Sequence, residues 1–126
     1  MKMKYKTSTV VDFVAKSDDP SIWLMILVEQ GPWERNEISD ELSRIQNRLY
    51  DSVDAAIDGQ LATKFPETFG KIIQVQLDGY NLPEIEISEF FKSFSENIFK
   101  IQDYSLALEN SKHVSGIKFE LNLEKI

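Results

Sequence analysis

Residues 34–58 read ERNEISDELSRIQNRLYDSVDAAID. Ile38, Leu42, Ile45, Leu49, Val53 and Ile57 recur there in steps of three and four, the stripe of an amphipathic helix. Asp58-Gly59 follows at once and supplies a helix stop. Just upstream, residues 22–28 (IWLMILV) are uninterrupted apolar sequence, too short for an ordinary helix, and read as an inner strand covered on both faces. Before them, Val11, Phe13 and Ala15 alternate within a valine-rich segment, residues 9–15, and Ser17-Asp18-Asp19-Pro20 is turn chemistry. The two segments predict a hairpin.

Downstream of the helix an irregular stretch runs through residues 64–70. Ile73, Val75 and Leu77 then alternate with glutamines, and Asp78-Gly79 is expected to end that strand. A second helix is predicted over residues 87–101, with Ile87, Phe90, Phe91, Phe94, Ile98 and Ile101 on one side. Tyr104, Leu106 and Leu108 alternate, and so do Ile117, Phe119, Leu121 and Leu123, with His113 in an exposed polar loop between. The predicted order is ββαβαββ: an α+β fold of two layers, with a largely antiparallel sheet of about five strands and two helices on one face. One domain spans residues 1–126, with residues 1–7 expected as a flexible basic tail.

Composition narrows the chemistry. The 126 residues carry 21 acidic and 14 basic side chains, a net charge of −7, one histidine and no cysteine. Without cysteine there is no disulfide framework, thiolate metal site or cysteine nucleophile. The acidity argues against nucleic acid as a partner, since phosphate neutralisation needs a basic surface. Residues 1–6 (MKMKYK) are charged like the start of a signal peptide, but the apolar run that must follow is absent. The longest apolar run, seven residues, is far short of the roughly 20 that cross a bilayer. No membrane association and a cytoplasmic location are the expectations. The five glycines are isolated from one another, so no phosphate-cradling loop is present, and no Gly-x-Ser-x-Gly elbow occurs. With one histidine and no recognised acidic motif, no metal, no cofactor and no enzymatic activity are expected.

The predicted first helix has a second face. Advancing 100° per residue from Ile38, Asp40, Asp51, Asp54 and Asp58 fall at about 160–220°, opposite the core stripe. Aspartate is a poor helix former, and like charges at neighbouring turns repel. Three of the four also sit towards the helix C-terminus, where the dipole disfavours negative charge. Arg44 and Arg48 flank this face and are expected to relieve part of the repulsion. The face is either solvated surface or a binding surface for a cationic partner. Trp33, at the helix entry, is a lid over the core or a contact residue, and Tyr80, at a strand end, is an interface candidate.

Several of these segments together resemble a family of small bacterial proteins catalogued as a domain of unknown function. The matching pieces are Thr9-Val10-Val11-Asp12-Phe13-Val14, the apolar strand of residues 22–28 and Trp33-Glu34. The helix with Leu42, Ile45, Leu49 and Tyr50, then Phe65-Pro66-Glu67 leading into Gly70-Lys71, complete the resemblance, which covers roughly residues 8–80. Size, acidity and plan are also similar to immunity proteins of bacterial toxin systems, including contact-dependent growth inhibition. That resemblance implies a non-enzymatic cytoplasmic protein that binds and neutralises a cognate toxin domain, commonly a basic nuclease. Asp40, Asp51, Asp54, Asp58, Trp33 and Tyr80 are then the candidate contacts. A small acidic chaperone for a secreted effector is the alternative, although such chaperones usually begin with a helix.

Overall fold

The computed structural model describes residues 11–126. Residues 1–7, expected as a tail, and Thr9 and Val10 of the first expected strand lie outside them. Strand β1 (Phe13–Lys16) turns at Asp19 into β2 (Ile22–Gln30), and the two pair antiparallel, Phe13 opposite Ile26. Within the turn Asp19 Oδ1 accepts hydrogen bonds from the amide and hydroxyl of Ser21, and these hold its carboxyl below the usual carboxylate range. A 3₁₀ turn (Arg35–Glu37) leads into α1 (Ile38–Asp58), and the short α2 (Gln60–Lys64) follows. Then come β3 (Lys71–Tyr80), α3 (Glu84–Asn97), α4 (Gln102–Asn110) and β4 (Val114–Glu124).

The architecture is α+β, as expected, but among the described residues the sheet has four strands, in the order β1-β2-β3-β4, and there are four α-helices. Five strands, two helices and the order ββαβαββ are therefore corrected. Residues 104–108, expected as a strand, belong to α4: Tyr104 and Leu108 are one helical repeat apart and half-buried, while Leu106 between them is 46% exposed. With helices between β3 and β4, the chain crosses over and returns in the same direction. The closing antiparallel hairpin is thus replaced by a parallel pair, and β2–β3 is parallel too. The sheet is mixed: among the described residues β1 alone runs antiparallel to its neighbour. Nor does Asp78-Gly79 end its strand: β3 runs on to Tyr80, with Gly79 registered between Glu29 and Leu123.

Two successive crossovers of the usual right hand that step the same way across a sheet place their helices on the same side. Met25 and Leu27 of β2 and Ile73, Val75 and Leu77 of β3 point to that side and are fully or almost fully buried. They meet Ile45, Leu49, Val53 and Ala56 from α1 and Ile87, Phe91 and Phe94 from α3 in one core. The alternate positions of β2, Ile22, Leu24, Ile26 and Val28, face away from the helices and are half-buried. β2 is an inner strand as expected, but helices cover one of its faces rather than both.

The helix stop at Asp58-Gly59 is observed. Gly59 has φ of +98°, a left-handed conformation that costs glycine nothing and other residues roughly 1–2 kcal/mol. The His113 ring rests where a side chain on Gly59 would stand, with Nε2 only 2.7 Å from that position. Ser111 Oγ donates to the Ile57 carbonyl at 2.8 Å, and Phe69 meets the imidazole edge-on. His113 is accordingly half-buried and clamps the start of β4 to the end of α1, rather than sitting in an exposed loop.

Candidate functional site

The last two turns of α1 place Asp51, Asp54 and Asp58 along one side of a groove of about 530 Å³. Tyr104 and Ala107 of α4 form the other side, and Ile57 and Gln60 contribute to its floor and end. Tyr104 is positioned by aromatic packing: its ring lies 5.6 Å from Tyr50, which meets Phe94 edge-on at 5.0 Å. Its hydroxyl donates to Asp54 Oδ1 at 2.9 Å. Burial, then that hydrogen bond to a carboxylate, push the Tyr104 phenol above its ordinary value, so it remains a neutral donor. Asp58 accepts from the amide of Gln60 at 3.1 Å and from its side chain at 2.8 Å.

All three aspartates are exposed, and the last turn of α1 holds no basic residue. Among the described residues none of the three forms an ion pair. The partial negative charge at the helix C-terminus adds to theirs.

The other candidates lie elsewhere. Asp40 is in the first turn of α1, about 16 Å along the axis from Asp51, where the dipole favours a carboxylate. Trp33 packs half-buried against the core, and its indole N–H has no hydrogen-bond partner among the described residues. Tyr80 ends β3 on the sheet face away from the helices, near Asp78, Asn122 and Glu124. The six residues thus fall into one cluster of three and three separate positions.

Among the described residues Arg44 and Arg48 form no ion pair with Asp40, Asp51, Asp54 or Asp58. Both turn instead to Glu29, which points from β2 into the helix layer and is 5% exposed. Arg44 grips it with two nitrogens at 2.6 and 2.8 Å, and Arg48 reaches it at 2.8 Å. Glu41 bonds Arg44 at 2.8 Å, and Asp12 bonds Arg48 at 3.1 Å while also accepting the amide of Val28 at 2.7 Å. Burial raises the Glu29 pKa, but the hydrogen bonds and charges of the two guanidiniums outweigh it and hold the carboxyl below its usual range. The Arg44 guanidinium is correspondingly raised, by its bonds to Glu29 and Glu41 against burial. These five residues join β2, α1 and Asp12, the residue just before β1. The signal in the sequence is slight: an acid closing an apolar run, and two arginines four residues apart.

Among the described residues no group of three or more His, Cys, Asp or Glu side chains is placed to hold a metal ion. No helix there is long and apolar enough to cross a membrane. Comparison with protein-family models, curated proteins and solved structures returns no match.

Proposed function

We propose that this chain is a non-enzymatic binding protein of the immunity type, which neutralises a basic toxin domain in the cytoplasm by holding it against the acidic groove between α1 and α4. The observation that carries this reading is the convergence of Asp51, Asp54 and Asp58 at the negative end of a helix, with no ion pair among the described residues. Like charges there repel one another and the dipole alike, and a cationic surface would remove both penalties at once. A net charge of −7 would also speed encounter with a basic domain by steering. Tyr104 adds a phenol donor and an aromatic wall, the side-chain type that anchors interfaces.

The test combines salt with neutralisation. At low salt the chain is expected to capture one basic protein domain stoichiometrically, and at about 0.5 M salt, where screening acts within a few ångströms, capture weakens. The triple variant D51N/D54N/D58N should bind that domain about tenfold or more weakly. It should also be at least as stable as the parent in urea, by up to about 1 kcal/mol, because repulsion at the helix end is removed. A triple variant that is stably folded and binds with parental affinity and salt dependence overturns the reading.

A further inference from the structure

We infer that β4 is the seam of a homodimer, in which the β4 strands of two copies pair antiparallel about Phe119 to make one continuous eight-stranded sheet. Among the described residues β4 is an edge strand, eleven residues long, and contains no proline. Its one irregularity is near its start, where the register shifts between Lys71 and Ile72. Long regular edges of this kind are templates for further strands unless blunted. The helix layer covers it only in part, although Phe91, Phe94 and Phe99 pack on Phe119. Ile73, Val75 and Leu77 of β3 are fully buried, but their neighbours in register, Ile117, Phe119 and Leu121, are only half-buried.

The direction of the backbone fixes what the edge offers. The Glu124 carbonyl accepts from the Asn81 amide, so Glu124 turns its peptide groups towards β3. In a parallel pair such residues alternate, so Lys118, Glu120 and Asn122 do the same. The N–H and C=O groups of Ile117, Phe119, Leu121 and Leu123 therefore face outward. Two copies of Val114–Glu124 overlap over their whole length when Phe119 lies opposite Phe119. In that alignment Ile117 lies opposite Leu121, and the outward residues can exchange both backbone bonds at each of these pairs.

Charge selects the same alignment. On the open face, Lys118 stands opposite Glu120 of the second copy, and Glu120 opposite its Lys118, at the closer, non-hydrogen-bonded positions. Sliding by two residues in either direction sets Lys118 against Lys118 or Glu120 against Glu120. Both side chains are exposed, and among the described residues neither forms an ion pair within its own chain. A lysine in an edge strand also deters strands that lack an acid opposite it. The two-fold axis stands perpendicular to the sheet, so the helices of both copies share one side. No residue of β4 lines the α1–α4 groove, so the seam is tested independently of the partner proposed there.

The full 126-residue chain, sedimented over a range of concentrations, should show twice the monomer mass of 14.6 kDa. Lys118→Glu sets two like-charge pairs across the seam and should raise the dimer dissociation constant about tenfold or more. The swap K118E/E120K should restore it, which a folding defect could not do. As the chain has no cysteine, an oxidised mixture of the K118C and E120C variants should yield a disulfide-linked heterodimer. A monomer at every concentration overturns the inference and leaves the β4 edge to a strand of another protein. So does a dimer indifferent to K118E, or one that the swap does not restore.

Discussion

Glu29→Gln should destabilise the chain by about 2–4 kcal/mol, read as a lower urea midpoint with an unchanged slope. Removing one member of a buried ion pair ordinarily costs more than the pair contributes, because the partner charge is left without compensation. Here the loss is moderated. Arg44 is 46% exposed and can turn to water, with Glu41 still bound, whereas Arg48 is 17% exposed and loses one carboxylate partner while Asp12 still holds it. The effect has a sign in pH as well. Because the folded Glu29 carboxyl titrates below its ordinary value of 4.5, its contribution is complete at neutral pH. It fades as pH falls through the lower folded value. The stability gap between parent and variant should therefore be widest near pH 7 and close in acid. A gap that is constant from pH 7 to acid would show that the charge of Glu29 is not what holds β2 to α1.

The second large effect is expected at Gly31. Its amide donates to the Tyr80 carbonyl at 2.7 Å, carrying the β2–β3 pairing one residue beyond the strands. A side chain there would run into the carbonyl oxygen of Asn81, which is backbone and cannot swing aside. Asn81 is held from two directions. Its amide donates to Glu124 at 2.8 Å, and its side chain accepts the amide of Ile126 at 2.9 Å. Its φ of +61°, a left-handed conformation asparagine tolerates, leaves little room for adjustment. Gly31→Ala should thus cost about 2–4 kcal/mol, at the upper end for overpacking, and loosen the ends of β2, β3 and β4 together. Trp33 sits two residues on, so its fluorescence should report the change. Unaltered emission with parental urea resistance would contradict the geometry.

The parts of the fold legible in the sequence were those in which one element's own periodicity meets one face of the core. Ile45, Leu49, Val53 and Ala56 form the buried stripe of α1 as their spacing requires, and Gly59 ends the helix by its backbone conformation. The apolar run of β2 announced an inner strand because it is flanked by β1 and β3. α4 was obscured because it has only nine residues: alternation at 104, 106 and 108 competes with the i, i+4 pair Tyr104 and Leu108. One misread element then altered the sheet, since a strand at that place implies a hairpin and a helix implies a crossover.

The candidate site divides on similar lines. Asp51, Asp54 and Asp58 share a helix face in any straight helix, so their cluster is visible in the spacing alone. Tyr104 could not be added to it, because its partner Asp54 is 50 residues distant in sequence and the contact depends on how α4 packs. Likewise a helical projection shows Arg44 and Arg48 beside the aspartates, but not that Glu29 on β2 lies within reach on the other flank. Competition between carboxylates for one guanidinium is decided by burial: Glu29 is buried and the aspartates are exposed.

The shortness of β1 has a consequence for hydrogen exchange. Among the described residues its four pair on one side only, whereas β3 is bonded along both sides and shielded by the helices. Amide protection should rise from β1 to β3, with the slowest protons near Val75 and those of residues 13–16 exchanging through a local opening. That opening would also withdraw Asp12 from Arg48 and free the Val28 amide. Deuterium uptake at Val28 would then follow the release of β1 rather than global unfolding, giving one backbone proton that reports on the ionic network from inside the sheet.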